Sequence, residues 1–195
     1  MPGTHVGRAF MTGAHPSYRI VPHDPDWAPI FESERALIAA ALGLPPGQVQ
    51  HIGSTAVPGL GAKPIVDVMV GVEEEAAYPR YVALLAPLGY EYRGETVPGT
   101  LYNRKQGPPR VNAHLCVLGG EFWSEHLLFR DYLRANPATA GDYEALKRRI
   151  LDEVGQDPPA YNAAKEGFIR GVILDATQTS GTKNPSPRSW RGILD

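Results

Sequence analysis

Asp67 is the residue that packing explains least. It interrupts Ile65-Val-Asp-Val-Met-Val70, a run otherwise apolar enough to read as a buried strand. A carboxylate taken out of water is costly unless it is paired or binds a cation, so its placement points to a metal or phosphate site. The segment leading into that run carries matching chemistry. Gly53-Ser54-Thr55 joins a residue without a Cβ, which lets a ligand approach the backbone, to two hydroxyls and the exposed N–H groups of a turn, a natural site for anions. Lys63 follows between turn and strand, where it either neutralises phosphate or is solvated. An ordinary Gly/Pro-rich connection between strands stands as the alternative for the whole turn. Neither a Walker A loop nor a Rossmann Gly-x-Gly-x-x-Gly occurs.

Three further groups could take part. His114 and Cys116 share one face of the predicted strand Val111–Val117, because side chains repeat every second residue. His114 is either a hydrogen-bonded core imidazole or a ligand or general base, and Cys116 reads as a small buried side chain. Lys165 falls four residues after Tyr161 and three before Phe168, on the apolar side of a helix, where it either snorkels to water or reaches phosphates. Arg93, Arg104, Lys105 and Arg110 make a basic stretch that is either solvated or faces a substrate.

The elements that must position these groups follow from periodicity and punctuation. Met1 to Ser17 reads as a loose tail and Tyr18–Val21 as a short edge strand. Asp24-Pro25 predicts a helix start, with Trp27, Ile30, Phe31, Leu37, Ile38, Ala41 and Leu42 on its inner face and Gly43 closing it. Strands are predicted at Gln48–Ile52, Ile65–Val70, Tyr90–Arg93 and Val111–Val117, with a helix over Glu73–Leu88 and a loop from Gly94 to Pro109. Beyond Gly120 the pattern is helical, with a break at Asn136-Pro137 and a last helix from about Pro159 to Ala176. The expected organisation is a tail over 1–17, one domain over 18–176 (an α/β core to 120, a helical part from 121) and a disordered tail over 177–195.

Composition bounds the function classes. A hydrophobic content of 43% and 195 residues suffice for one sizeable core, and a net charge of −2 argues against a general nucleic-acid binder. A single cysteine excludes an internal disulfide, and no apolar run is long enough for a signal peptide or a membrane span, so a cytoplasmic setting without membrane attachment is expected.

At His51-Ile-Gly-Ser-Thr-Ala-Val-Pro-Gly-Leu-Gly-Ala-Lys-Pro-Ile-Val-Asp67 the sequence resembles the GrpB family. The resemblance continues through Arg93-Gly-Glu, Pro98-Gly99, the His114-Leu-Cys-Val strand, Phe129-Arg-Asp-Tyr-Leu and Tyr161-Asn-Ala-Ala-Lys165, and spans roughly Ile20 to Ala176. GrpB proteins are in turn similar to the nucleotidyltransferase superfamily that includes DNA polymerase beta. The resemblance implies an α+β fold, a nucleotidyltransferase-like mixed β-sheet with flanking helices followed by a C-terminal helical segment. It also implies a nucleoside triphosphate substrate with its phosphates on Gly53 and Ser54, and Asp67 as the first metal ligand. In an enzyme built this way Lys63 and Lys165 are further candidates for the phosphates and His114 for catalysis and metal binding beside Asp67, with Mg²⁺ or Mn²⁺ the expected metal, Zn²⁺ also open, and a small molecule the acceptor.

The superfamily's second carboxylate position holds Met69, and the strand of its third offers His114. One Asp and one His is a thin supply for two Mg²⁺ ions, which take oxygen ligands, whereas imidazole suits Zn, Mn or Fe. Two readings follow. One is a metal-dependent nucleotidyltransferase; the other is a nucleotide- or small-molecule-binding module that keeps the fold without transfer.

Overall fold

The computed structural model describes residues 19–155 and 157–180. Helix α1 (Trp27–Leu42) begins two residues beyond Pro25. Asp24 Oδ1 accepts the Asp26 N–H at 3.0 Å and the Asp24 carbonyl accepts the Trp27 N–H at 3.2 Å, so Asp24 organises the entry without being the cap itself. The buried stripe is Trp27, Phe31, Glu34, Ile38, Ala39 and Leu42, and Leu37, expected inward, is exposed on its flank. Gly43, at φ 67°, closes the helix in the left-handed conformation that glycine tolerates.

Five strands form one mixed sheet: β1 (Val49–Ile52), β2 (Ile65–Val72), β3 (Tyr90–Val97), β4 (Thr100–Lys105) and β5 (Arg110–Val117). Their order is β1-β2-β5-β4-β3, with only β2 and β5 parallel. The parallel pair requires a crossover, supplied by α2 (Tyr78–Leu85) and the β3–β4 hairpin. That hairpin corrects the predicted Gly94–Pro109 loop. β3 runs on to Val97, Pro98-Gly99 make the turn with Gly99 at φ 76°, and β4 pairs with both neighbours. Buried Thr100 and Asn103 hid β4, because the two are polar and lie on opposite faces, so the strand shows no apolar alternation. The edge strand expected at Tyr18–Val21 reduces, among the described residues, to one bridge between Val21 and Ala62.

Strand alternation sorts the sheet into two faces. Val66, Val68, Val70 and Val72 of β2 join Val111, Ala113 and Leu115 of β5 beneath α1 and α2. The opposite residues, Asp67 and Met69 with Asn112, His114 and Cys116, look toward α3 (Glu121–Ala135). Behind α3 lie α4 (Pro137–Val154) and α5 (Pro158–Ser180), packed through Phe129, Leu133, Tyr143, Ile169, Val172 and Ile173 onto Val57 and Leu60 of the glycine-rich turn. Helix α5 runs four residues past its expected end, so 177–180 are helical rather than disordered. The remainder of both expected tails, with Tyr18, lies outside the described residues. No helix among the described residues is long and apolar enough to cross a membrane.

Candidate functional site

β1 is antiparallel to β2 with Ile52 opposite Asp67, so the turn that follows Ile52 is delivered directly onto the carboxylate. Gly53 sits at φ 72° and ψ −176°, and a Cβ there would stand 2.9 Å from Asp67 Oδ2. A side chain is therefore excluded twice, by backbone conformation and by contact. Ser54 and Thr55 begin a 3₁₀ turn and are buried.

Asp67 is 2% exposed and its Oδ1 is already engaged. Asn112, its Cα partner on β5, donates Nδ2 at 2.8 Å, and His114 Nε2 lies 3.3 Å away. A carboxylate only accepts, so the imidazole donates from Nε2, and in the neutral tautomer its lone pair is on Nδ1. That atom has no hydrogen-bond partner among the described residues. The chain of bonds continues outward. Tyr102 O–H donates to Asn112 Oδ1 at 2.9 Å, and Arg104 Nε donates to the Tyr102 oxygen at 2.9 Å. Tyr102 also stacks on His114, with ring centroids 5.4 Å apart. Burial raises the Tyr102 phenol above its ordinary range although the Arg104 guanidinium opposes the shift, so it stays protonated.

The other side of the turn is cationic. Lys147, which the sequence reading passed over, donates from Nζ to Ser54 Oγ at 2.6 Å and to the Gly61 carbonyl at 2.8 Å. Lys63 and Lys165 lie over the Tyr161 ring, their Nζ atoms 3.6 and 4.5 Å from its centroid. All three lysines are at most 4% exposed, so Lys63 is not solvated and Lys165 does not snorkel to water. Lys147 carried the signal that singled out Lys165, a lysine four residues after a stripe tyrosine (Tyr143) and three before an apolar residue (Ile150). Asn112 was also missed, though it lies two residues before His114 on the same face.

Helices α3 and α4 pin the turn in place. Arg130 donates to the His51 carbonyl and to Gln50 Oε1, and Arg134 donates twice to the Ala56 carbonyl. Glu144 accepts the Gly61 N–H at 2.6 Å. Burial, with Arg134, Arg130 and His23 adding to it, brings His51 down to about 3, so it is a neutral partner of Thr55 Oγ1 at 3.0 Å. Burial likewise brings His126 down to about 3.

The donor set does not fit a pair of divalent cations. Of the residues on this face of β2 and β5, Asp67 is the one carboxylate, Met69 is fully buried in an apolar cluster, and burial pushes the Cys116 thiol up to about 12, leaving it protonated. Among the described residues no group of three His, Cys, Asp or Glu side chains is arranged to hold a metal. Asp67 Oδ2 lies beside Gly53, while Oδ1 is engaged by Asn112 and His114. Lys105 and Arg93 of the basic stretch are taken up elsewhere, by Glu34 at 2.6 Å and by exposed Glu91 at 3.0 Å. A cavity of about 520 Å³ lies where the parallel strands begin, lined by Trp27, Ile30, Pro64, Pro108, Pro109 and Arg110 among others, and Asp67 is not part of its wall.

Comparison with known proteins agrees with this architecture. Residues 17–174 match the family described as GrpB protein. The "Glutamate-rich protein GrpB" of Alkalihalophilus pseudofirmus is 30% identical over 161 residues, 79% of this chain and 92% of that protein. The crystal structure of GrpB from Enterococcus faecalis superposes with a TM-score of 0.72 at 32% identity, covering 84% of this chain and 99% of that one. The Cid1 poly(U) polymerase superposes with a TM-score of 0.51 at 12% identity, over 77% of this chain and 49% of that one, which shows a shared nucleotidyltransferase-like fold alone.

Proposed function

The chain belongs to the GrpB family, and from the chemistry around Asp67 we propose that it is a nucleotidyltransferase-like protein acting on a nucleoside triphosphate and a small-molecule acceptor. The observation that carries this reading is the approach of Gly53 to Asp67, so close that a Cβ on the glycine would stand 2.9 Å from Oδ2, which brings an anion turn and a carboxylate together in one site. Ser54 and Lys147, together with Lys63 and Lys165 over the Tyr161 ring, supply the positive side for the β- and γ-phosphates. The α-phosphate then lies nearest Asp67 and His114. An acceptor hydroxyl oxygen attacks the α-phosphorus, the bond to pyrophosphate breaks, and the proton passes to His114 Nδ1, the open lone pair of that ring. A divalent cation bound with the nucleotide, Mg²⁺ or Mn²⁺ rather than Zn²⁺ given an oxygen ligand, would supply charge neutralisation at the transferred phosphoryl group.

A second reading is favoured by Met69 and by the occupied Oδ1 of Asp67: a nucleotide-binding module that keeps the fold without transfer. One experiment separates the two. Purified protein is incubated with α-labelled nucleoside triphosphates, a small-molecule acceptor library and each of Mg²⁺, Mn²⁺ and Zn²⁺, and release of pyrophosphate is followed. Transfer that disappears in Asp67→Ala, while the variant stays folded, supports the first reading. Nucleotide-induced stabilisation without any pyrophosphate leaves the second. No response to any triphosphate removes both.

A further inference from the structure

We propose that Arg104 holds the acceptor, and that the acceptor is an anion: a small hydroxy compound bearing a carboxylate or a phosphate. The inference rests on the reading of this site as a nucleotidyl-transfer site and names the class of molecule that receives the nucleotidyl group. Strand register fixes the side from which that molecule arrives. Asp67 of β2, Asn112 of β5 and Arg104 of β4 are direct neighbours in one row. Arg104 therefore stands two strand spacings, about 10 Å, from Asp67 on the same face of the sheet. The glycine-rich turn leaves the end of β1, on the opposite side of β2. In-line displacement keeps the attacking and leaving oxygens on opposite sides of the phosphorus. With the β- and γ-phosphates at Ser54 and Lys147, the acceptor hydroxyl comes from the side of β5 and β4. Its oxygen bonds to the α-phosphorus as the bond to pyrophosphate breaks, and its proton goes to His114 Nδ1.

A second observation makes Arg104 the group that meets the rest of the acceptor. Asp67 and Asn112 are 2% and 4% exposed, whereas Tyr102 and Arg104, next along the same file of hydrogen bonds, are half-buried. The file runs from the buried carboxylate toward the surface and ends in a guanidinium. Its Nε donates to the Tyr102 oxygen at 2.9 Å, which fixes the group and leaves both Nη atoms as remaining donors. Among the described residues no carboxylate pairs with Arg104. Glu91, its cross-strand neighbour on β3, is bound to Arg93 at 3.0 Å, and Asp67 reaches it only through Asn112 and Tyr102. Arg110, two residues before Asn112 on the same face, adds positive charge and has an interaction of its own. Bracing Tyr102 uses one nitrogen of the guanidinium. The planar fork that is left matches a carboxylate or a phosphate with two parallel bonds, whereas a neutral polyol forgoes the charge.

The test follows pyrophosphate release from nucleoside triphosphates by the full chain with two matched acceptor sets. One is glycerol, glycerate and glycerol 3-phosphate; the other is ribose, ribonate and ribose 5-phosphate. The expected kcat/KM is at least about tenfold higher for the charged members than for the neutral one, the usual effect of a charge-assisted hydrogen bond. Whether carboxylates or phosphates lead tells the two sources apart. Arg104→Gln raises the acceptor KM by at least about tenfold and leaves the nucleotide KM unchanged, a split that loss of a merely structural arginine would not produce. Arg104→Lys, which keeps the charge without the fork, recovers part of the loss. Should Arg104→Gln fail to fold, Arg104→Lys gives the same readout with a smaller shift. Transfer to the neutral members with an acceptor KM that Arg104→Gln does not move overturns the inference and leaves the proposed function standing. A rise confined to the nucleotide KM does the same. If no acceptor releases pyrophosphate, binding of the same compounds is read by ligand-observed NMR. Charged members that bind wild type but not Arg104→Gln uphold the anion site and sink the transfer reading. Charged members that bind neither protein, or both equally, overturn the inference.

Discussion

The contact between Gly53 and Asp67 makes a measurable claim about stability. In Gly53→Ala the new methyl meets two separate penalties. The backbone at φ 72° and ψ −176° lies in a region that only glycine visits freely, and forcing an L-residue there costs about 1–3 kcal/mol. The methyl would also lie 2.9 Å from Asp67 Oδ2, so the carboxylate must move. Its bonds from Asn112 and His114 are then stretched, at a cost of about 1–2 kcal/mol. The sum, about 3 kcal/mol, is a large part of the stability of an ordinary domain. Equilibrium urea unfolding with the slope m unchanged is the assay. A double-mutant cycle with Asp67→Ala separates the terms. Removing the carboxylate removes the contact but not the dihedral strain, so the cost of Gly53→Ala should drop by about 1–2 kcal/mol in that background. A single-variant cost below about 1 kcal/mol, or a coupling energy within about 0.5 kcal/mol of zero, would refute the geometry on which the site is built.

Two further predictions concern protonation and the second carboxylate position. His51 and His126 are held neutral down to about 3, whereas the unfolded chain takes up protons near the ordinary value of 6.5. Between those limits the unfolded state binds more protons, so stability falls as the pH drops, by up to about 1.4 kcal/mol per pH unit for each histidine. Urea unfolding at stepped pH should record this slope, and His126→Gln should reduce it by the share of one histidine. An unchanged slope would mean that His126 is protonated in the fold. Met69→Asp puts a second carboxylate into a fully buried apolar cluster beside Asp67 and should cost about 3–5 kcal/mol in metal-free buffer. Thermal denaturation with and without Mn²⁺ tells whether the paired carboxylates recover a metal site. Stabilisation of the variant but not of wild type is expected, and equal stabilisation of both would show that Met69 is no obstacle.

The sequence carried the parts of this site that violate local expectation. Asp67 inside an apolar run, Gly53-Ser54 ahead of it and Lys165 inside a helical stripe all stand out because a residue type contradicts its setting. Lys147 made the same contradiction at Tyr143 and Ile150 but looked like one more charge on a long charged helix. Its role depends on a bond to Ser54 that no local pattern encodes. Asn112 was quieter still, since an asparagine at a strand start is ordinary until β2 is placed beside it. Strand order could not be derived because the β2–β5 pairing joins segments separated by a helix and a hairpin. β4 escaped because its two fully buried residues, Thr100 and Asn103, are polar and lie on opposite faces, which breaks the alternation that marks a strand.

The fastening of the glycine-rich turn has a consequence for how the molecule comes into being. Lys147 reaches Ser54 across 93 residues of chain, Glu144 reaches Gly61 across 83, and Arg134 reaches Ala56 across 78. Contacts of such separation close large loops and form late, after local structure. A chain emerging from the ribosome holds all five strands once Val117 is out, yet still lacks every helical donor that fixes the turn between β1 and β2. A nascent chain halted at Gly120 lacks Arg130, Arg134, Glu144 and Lys147, and with them the means to organise its own anion turn. The chemistry of this protein is therefore an attribute of the finished polypeptide, completed only when α4 folds back over a turn made long before it.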